Sequence, residues 1–179
     1  MPQTQYHRGS TADGRSFMGI EIETYFDEPT FYMARLSNLG LVLWRETPVL
    51  ACVTQVAATL EKLEPVPGQG FALMAVITAK CAPIGADIRS VVDDGMRAHR
   101  SAALAMAAVI EVPGVFGGLT RAIARTMSVI SRTPYPVNTY GSVADAAAWL
   151  PSLMASRGAP EVPASRIVEA IDAARRPRP

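Results

Sequence analysis

The sequence has few cysteines, almost no net charge and no long apolar run. Its two cysteines, Cys52 and Cys81, form no CxxC pair and have no histidine at metal-ligand spacing, so neither a disulfide framework nor a zinc site is predicted. The formal net charge is +1, from 17 basic and 16 acidic residues. Because binding to phosphates requires a clear basic excess, we expect no nucleic acid partner.

Membrane and export signals are not apparent in the sequence either. The longest apolar run, residues 102–110, is far shorter than the stretch of about 20 residues that crosses a bilayer as a helix. Residues 1–14 are polar and contain no apolar segment of the kind found in secretory signals. We therefore expect a cytoplasmic protein with no membrane span.

The remaining composition is typical of one globular domain. The chain has 179 residues, of which 49% are hydrophobic and 18% charged, and this is enough to build a core without disulfides or metals. We expect residues 1–30 to form a largely disordered extension, residues 31–157 the domain, and residues 158–179 a linker, a short amphipathic helix and a basic tail. Residues 17–26 alternate weakly between apolar and polar and could add an edge strand to the sheet. The last helix could pack back onto the domain or contact a partner.

Apolar periodicity predicts the elements of the domain. A hairpin with its tip at Ser37 and Asn38 comes first, and Thr47 and Pro48 are typical of the N-cap and first residue of a helix. Residues 102–110 are rich in alanine and methionine and could extend a helix, but we interpret them as a central strand. The predicted strands are residues 31–35, 39–45, 71–78, 102–110 and 137–140. The predicted helices are residues 48–64, 83–97, 116–132, a helix capped by Ser142, and residues 164–175. The predicted buried face of the first helix is Val49, Val53, Val56, Leu60 and Leu63.

The order of these elements is β-β-α-β-α-β-α-β-α, followed by the short C-terminal helix. A hairpin followed by alternating strands and helices predicts an α/β fold with a mixed, mostly parallel sheet, and right-handed crossovers place helices over its faces. This order resembles that of the STAS domain, the fold of the anti-sigma-factor antagonists. Three segments are also similar to a group of uncharacterised bacterial proteins with a STAS-like fold: NLGLVLWR at residues 38–45, RTPYPV at 132–137 and AAAWL at 146–150.

The resemblance does not extend to the phosphorylation switch of the STAS antagonists. Those proteins carry a serine or threonine in an Asp-Ser-(Ser/Thr)-Gly turn between the third strand and the second helix. At the matching place this sequence reads KCAPIGAD, residues 80–87, with no hydroxyl group. What the resemblance implies is a non-catalytic regulatory or assembly module that binds another protein or itself and needs no cofactor. We therefore predict that the protein is not an enzyme.

Cys81 is a candidate reactive thiol because it is predicted at the carboxyl end of a central strand, just before a helix. Sites in α/β folds lie at such ends, and a helix N-terminus together with Lys80 favours a thiolate. The two histidines are His7, in the N-terminal extension, and His99, at the opposite strand end, so no base is placed beside the thiol. The simpler interpretation is a small hydrophobic residue at a strand end.

A glycine-rich turn at residues 114–121 is a candidate anion site. Backbone amides of Gly117, Gly118 and Thr120 could hold a phosphate or carboxylate at a helix N-terminus, with the Arg121 guanidinium beside them. The turn matches neither the Walker loop nor the GxGxxG fingerprint, and close packing of helix and sheet also explains its glycines. A small-molecule or anion-binding protein is therefore the alternative function.

Two charged patterns on predicted helices complete the set of candidates. Arg121, Arg125 and Arg132 fall on one stripe of a helix and could meet an acidic partner, although a solvated outer face explains them equally. On the preceding helix, three aspartates could approach a cation, but the sequence offers no further ligands to complete its coordination, so no metal site is predicted. These aspartates are Asp87, Asp93 and Asp94.

Overall fold

The computed structural model describes residues 21–64, 68–114 and 134–176, which form a mixed six-stranded sheet with helices on both faces. The strands are β1 (Ile22–Asp27), β2 (Phe31–Leu36), β3 (Leu39–Trp44), β4 (Phe71–Ile77), β5 (Ala103–Ile110) and β6 (Val137–Tyr140). The helices are α1 (Leu50–Thr59), which continues as a 3-10 turn (Leu60–Leu63), α2 (Ala86–Ala98), α3 (Val143–Ser156) and α4 (Ala164–Arg175).

The strands lie in the sheet in the same order as in the chain, from β1 to β6. The pairs β1–β2 and β2–β3 are antiparallel, whereas β3, β4, β5 and β6 run parallel. The predicted α/β class with a mixed, mostly parallel sheet is therefore confirmed. Residues 102–110 are also confirmed as a strand, because β5 pairs with β4 on one side and with β6 on the other. The predicted helix at residues 116–132 lies outside the described residues.

The weakly alternating segment before the domain supplies an edge strand, as the sequence left open. Strand β1 pairs antiparallel with β2, with a register shift between Thr24 and Phe26. This strand falls within the predicted extension, residues 1–30, so the sheet begins ahead of Phe31 rather than at it. Its half-buried aromatic residues explain why it is held there, since Tyr25 and Phe26 pack against the apolar cluster beneath α1.

The hairpin tip between β2 and β3 is where the sequence predicted it. Ser37 adopts a positive φ of 55°, and Asn38 is buried although it is polar. The Asn38 side-chain amide donates to the Gly70 carbonyl at 2.7 Å, and the Asn38 carbonyl accepts from the Ala72 amide at 2.9 Å. Asn38 therefore joins the hairpin tip to the beginning of β4 and satisfies its own buried polar groups.

The first helix begins later than the sequence predicted. Its N-cap position is Val49, which offers no side-chain hydrogen bond, so Thr47 and Pro48 precede the helix. The Thr47 hydroxyl instead accepts from the Ala82 amide at 2.8 Å, in the loop between β4 and α2. The Thr47 hydroxyl therefore bonds to the neighbouring loop and not to the first turn of the helix. The predicted cap of α3 is confirmed, since Ser142 Oγ accepts from the Asp145 amide at 3.2 Å.

Two apolar clusters lie on opposite faces of the sheet. One face is covered by α3 and α4, which bury Leu150, Met154, Ile167 and Ile171 completely. The other face is covered by α1, its 3-10 turn and α2. Right-handed crossovers between parallel strands that advance in one direction place their helices on the same face, which explains why α1 and α2 lie together.

The C-terminal helix belongs to the domain, although the sequence suggested a separate segment after residue 157. Val162, in the predicted linker, and Ile167 and Ile171, in the helix, are all fully buried in the cluster beneath α3 and α4. At the end of the helix, Arg175 makes a bidentate ion pair with Glu111 at 2.9 and 2.5 Å. Of the two predicted alternatives for this helix, packing back onto the domain is the one observed.

Candidate functional site

The carboxyl ends of β3 and β4 are joined by a set of short loop contacts. The Thr78 amide donates to the Trp44 carbonyl at 3.3 Å, and the Thr78 hydroxyl donates to the Arg45 carbonyl at 3.2 Å. Together with the bond from the Ala82 amide to Thr47, these contacts fix the loop between β4 and α2 against the loop between β3 and α1. This edge of the sheet is the position where parallel α/β folds place their sites.

Cys81 lies in this fixed loop, after β4 and before α2, as predicted. Its Sγ atom donates weakly to the Trp44 carbonyl at 3.5 Å and is 3.7 Å from the Thr78 hydroxyl. The half-buried thiol also packs against the apolar cluster beneath α1 and α2. His99 lies at the amino end of β5, where its ring meets that of Phe71 edge-on at 6.2 Å. The described geometry thus gives Cys81 hydrogen-bond acceptors and apolar neighbours, the surroundings of a packed thiol.

The glycine-rich turn and the arginine stripe fall on residues 115–133, which the structure does not describe. Gly117, Gly118, Thr120 and Arg121 therefore stay a predicted anion site, and Arg121, Arg125 and Arg132 stay a predicted partner face. Gly114, the last described residue before them, has a positive φ of 72°. A left-handed conformation there is the reason that glycine follows Pro113.

Among the residues that the structure describes, the three aspartates of α2 are not grouped with other metal ligands. Asp87 lies in the first turn of the helix, and Asp94 pairs with Arg97 at 2.7 Å on the solvent side. Within residues 21–64, 68–114 and 134–176, no group of three histidine, cysteine, aspartate or glutamate residues could hold a metal ion.

A charged and aromatic cluster covers the outer part of the β1–β2 hairpin. The Arg35 guanidinium donates to Glu23 and, at 3.0 Å, to the Tyr25 hydroxyl. Burial alone would lower the pKa of Arg35, but the hydrogen bonds to Glu23 and Tyr25 outweigh it and raise this pKa. Burial also raises the pKa of Tyr25, against the opposing effect of Arg35. The Tyr25 hydroxyl in turn donates to the Lys62 carbonyl at 3.2 Å, so the cluster ties the hairpin to the end of α1.

Sequence reasoning missed an incompletely covered apolar surface around the beginnings of α1 and α2. Val49 and Leu50 are 55% and 46% exposed, although Val49 was predicted on the buried face of its helix. The prediction fails because α1 begins at Leu50, which turns Val49 outward. Helix α2 buries none of its residues fully, and its apolar side chains Ile88 and Val91 are only half-buried. In the sequence, the two adjacent apolar residues Val49 and Leu50 directly after Pro48 were the signal that could have indicated this surface.

Comparisons of the chain with protein-family models, with curated proteins and with solved structures give no match. Among the helices in the described part of the chain, none combines the length and the apolar character that crossing a bilayer requires.

Proposed function

We propose that this protein is a non-catalytic regulatory or assembly module with a STAS-like fold, which acts through contact with another protein or with a second copy of itself. The observation that carries the proposal is the pair of adjacent exposed apolar residues Val49 and Leu50 at the beginning of α1. Adjoining exposed apolar residues on a folded domain are candidates for an interaction site. The cytoplasm, where such modules would meet their partners, is the proposed location.

The contrast between the two faces of the sheet supports this proposal. Helix α3 buries Leu150 and Met154 completely, whereas α2 has a clear apolar stripe but no fully buried residue. Among the residues that the structure describes, the face under α3 and α4 is therefore more completely buried than the face under α1 and α2. Charged residues lie on the same side of the domain as α1 and α2, since Lys80, Asp87 and Arg89 are exposed in α2 and in the loop before it. An apolar centre with a polar rim is the usual composition of a protein interface.

A pair of glutamate substitutions tests the proposal. The double variant Val49→Glu, Leu50→Glu places two negative charges in the exposed apolar pair, and Ala155→Glu, as the control, places one on an exposed position of α3. Affinity capture from cells that express the tagged chain, together with light scattering over a concentration series, measures partner binding and self-association. We expect the double variant to lose a partner or a dimer that the native chain and Ala155→Glu retain. A native chain that is monomeric and captures nothing that the double variant fails to capture would contradict the proposal.

A further inference from the structure

A cavity of about 80 Å³ lies between α1, α2 and the central strands β3, β4 and β5. Of the described residues that line it, none carries an ionisable group, and the indole N–H of Trp44 is the single polar side-chain group. More than half of its lining residues are only half-buried, among them Leu73, Ala75 and Met106, so the space is an apolar cleft partly open to solvent. Water in this cleft finds few polar partners, and an apolar occupant displaces such poorly held water favourably.

Small side chains at three positions create the cavity. Ala57 lies on α1, Ala75 on β4 and Gly95 on α2, and all three line the space. A Cβ atom at Gly95 would lie 3.4 Å from that of Ala57, so α1 and α2 approach each other closely at this point. The short side chains Val91 and Val92 then face the sheet without filling the gap beneath α2. The cavity thus exists because the residues at these three positions are small.

A second space of about 20 Å³ adjoins the first and shares part of its lining, namely Leu60, Leu73, Met96 and Met106. Methionine side chains are unbranched and flexible, and they adapt their shape at low cost. The shared Met96 and Met106 side chains can therefore adjust the shape of the lining to an occupant.

We propose that this cavity is a binding site for a small uncharged apolar molecule. A single water needs at least about 10–15 Å³ of such free space, so the larger space has room for several heavy atoms. The hydrocarbon lining favours an aliphatic or aromatic group and disfavours any charged group, which would lose its hydration without gaining a partner. The site shares Val91 with the half-buried side of α2, but the proposed protein contacts rest on the exposed Val49 and Leu50, which do not line it.

Xenon is a suitable probe because it occupies apolar protein cavities, and the methionines report where it binds. Met96 and Met106 line the cavity, whereas Met74 and Met154 are fully buried in the cluster on the other face of the sheet. In protein labelled with ¹³C at the methionine methyl groups, we expect xenon pressure to shift the Met96 and Met106 signals saturably and to leave Met74 and Met154 unchanged. Equal shifts at all four, or no saturable shift, would overturn the proposal.

A matched pair of variants and a charged probe complete the test. Ala75→Leu fills the cavity, and Ala98→Leu makes the same change at an exposed position of α2. We expect Ala75→Leu to weaken xenon binding by about tenfold or more and Ala98→Leu to change it by less than about twofold. Undiminished binding in a folded Ala75→Leu protein would overturn the proposal, and the methyl shifts of the native chain decide the matter if that variant does not fold. Acetate should leave Met96 and Met106 unshifted, and a saturable shift would overturn the assignment to uncharged ligands.

Discussion

The Arg45 guanidinium donates two hydrogen bonds to the Ala174 carbonyl, from Nε at 3.2 Å and from Nη2 at 2.6 Å. It also pairs with Asp27 at 2.7 Å, and both side chains are only 17% exposed. A cation at the C-terminus of a helix satisfies free carbonyl groups and interacts favourably with the helix dipole. Arg45 therefore joins the end of β3, the end of β1 and the last turn of α4.

Replacing this arginine should loosen the last helix. Arg45→Ala removes the donors to Ala174 and leaves the Asp27 carboxylate partly buried without this partner. We expect the free energy of unfolding to fall by about 2–3 kcal/mol, because hydrogen bonds to charged groups are the stronger kind. Urea titration measures the loss. Arg97→Ala, at an ion pair that is about two-thirds exposed, is the control and should cost less than about 1 kcal/mol. Equal losses in the two variants would contradict the role given to Arg45.

The C-terminal helix should be required for folding, in contrast to the predicted domain boundary at residue 157. Ending the chain there removes Val162, Ile167 and Ile171, each fully buried. Burial of one such side chain contributes about 1.5–3 kcal/mol, and a whole domain has a net stability of about 5–15 kcal/mol. We expect the shortened chain to show no cooperative thermal transition by circular dichroism.

A point substitution separates the packing of this helix from the length of the chain. Ile171→Asp should abolish the cooperative transition in the full chain, because it buries an unpaired charge. Ser165→Asp, at an exposed position in the first turn of the same helix, should leave the transition in place. A shortened chain or an Ile171→Asp protein that unfolds like the native one would refute the assignment of α4 to the core.

Much of the fold could be predicted because local patterns and tertiary structure agree. The apolar runs of β2 and β3, the turn at Ser37 and the cap at Ser142 all appear in the sequence as they do in the structure. Even the alanine-rich β5 follows from its position between two turns. The mixed, mostly parallel sheet then follows from the order of the elements.

The site features could not be predicted because they depend on contacts between distant segments. Thr47 has the sequence of a helix cap, but its hydroxyl accepts from the Ala82 amide, and no local pattern shows that bond. The docking of α4 depends equally on Arg45, far away in the chain. The cavity arises where Ala57, Ala75 and Gly95 meet from three elements, and each is unremarkable by itself.

Adding the same methyl group at two different glycines should change the stability of the protein in opposite directions. A Cβ atom at Gly40, in β3, would lie 2.4 Å from Cδ1 of the fully buried Leu63, so Gly40→Ala should cost about 1–3 kcal/mol through overpacking. At Gly95 the nearest atom, Cβ of Ala57, is 3.4 Å away, and alanine is the better helix former. We expect Gly95→Ala to stabilise the protein by about 0.5–1 kcal/mol, as measured by urea titration. The reverse order of the two variants would refute this account of the packing.

Stability should fall at alkaline pH through ionisation of a buried phenol. Tyr135 is 5% exposed, and burial raises its pKa above the ordinary value of 10.0. Because the raised pKa belongs to the folded state, the stabilising effect is complete below pH 10.0 and is lost as the pH rises through the higher, folded-state pKa.

Urea titrations at pH 8 and pH 11 on the native chain and on Tyr135→Phe measure this effect. The variant should lose less stability between the two pH values than the native chain does. Burial also raises the pKa of Tyr25, but that residue is present in both proteins, so the difference between them belongs to Tyr135. Parallel losses in the two proteins would exclude the phenol as the cause.

The sequential order of the six strands also bears on how the chain folds. Each strand pairs with the strand that precedes it along the chain, so every pairing closes only the segment between two consecutive strands, which lowers the contact order of the sheet. The topology allows the sheet to grow strand by strand as synthesis proceeds from the N-terminus. The bond between Arg45 and Ala174, by contrast, spans 129 positions and forms only when the last turn of the last helix has been made.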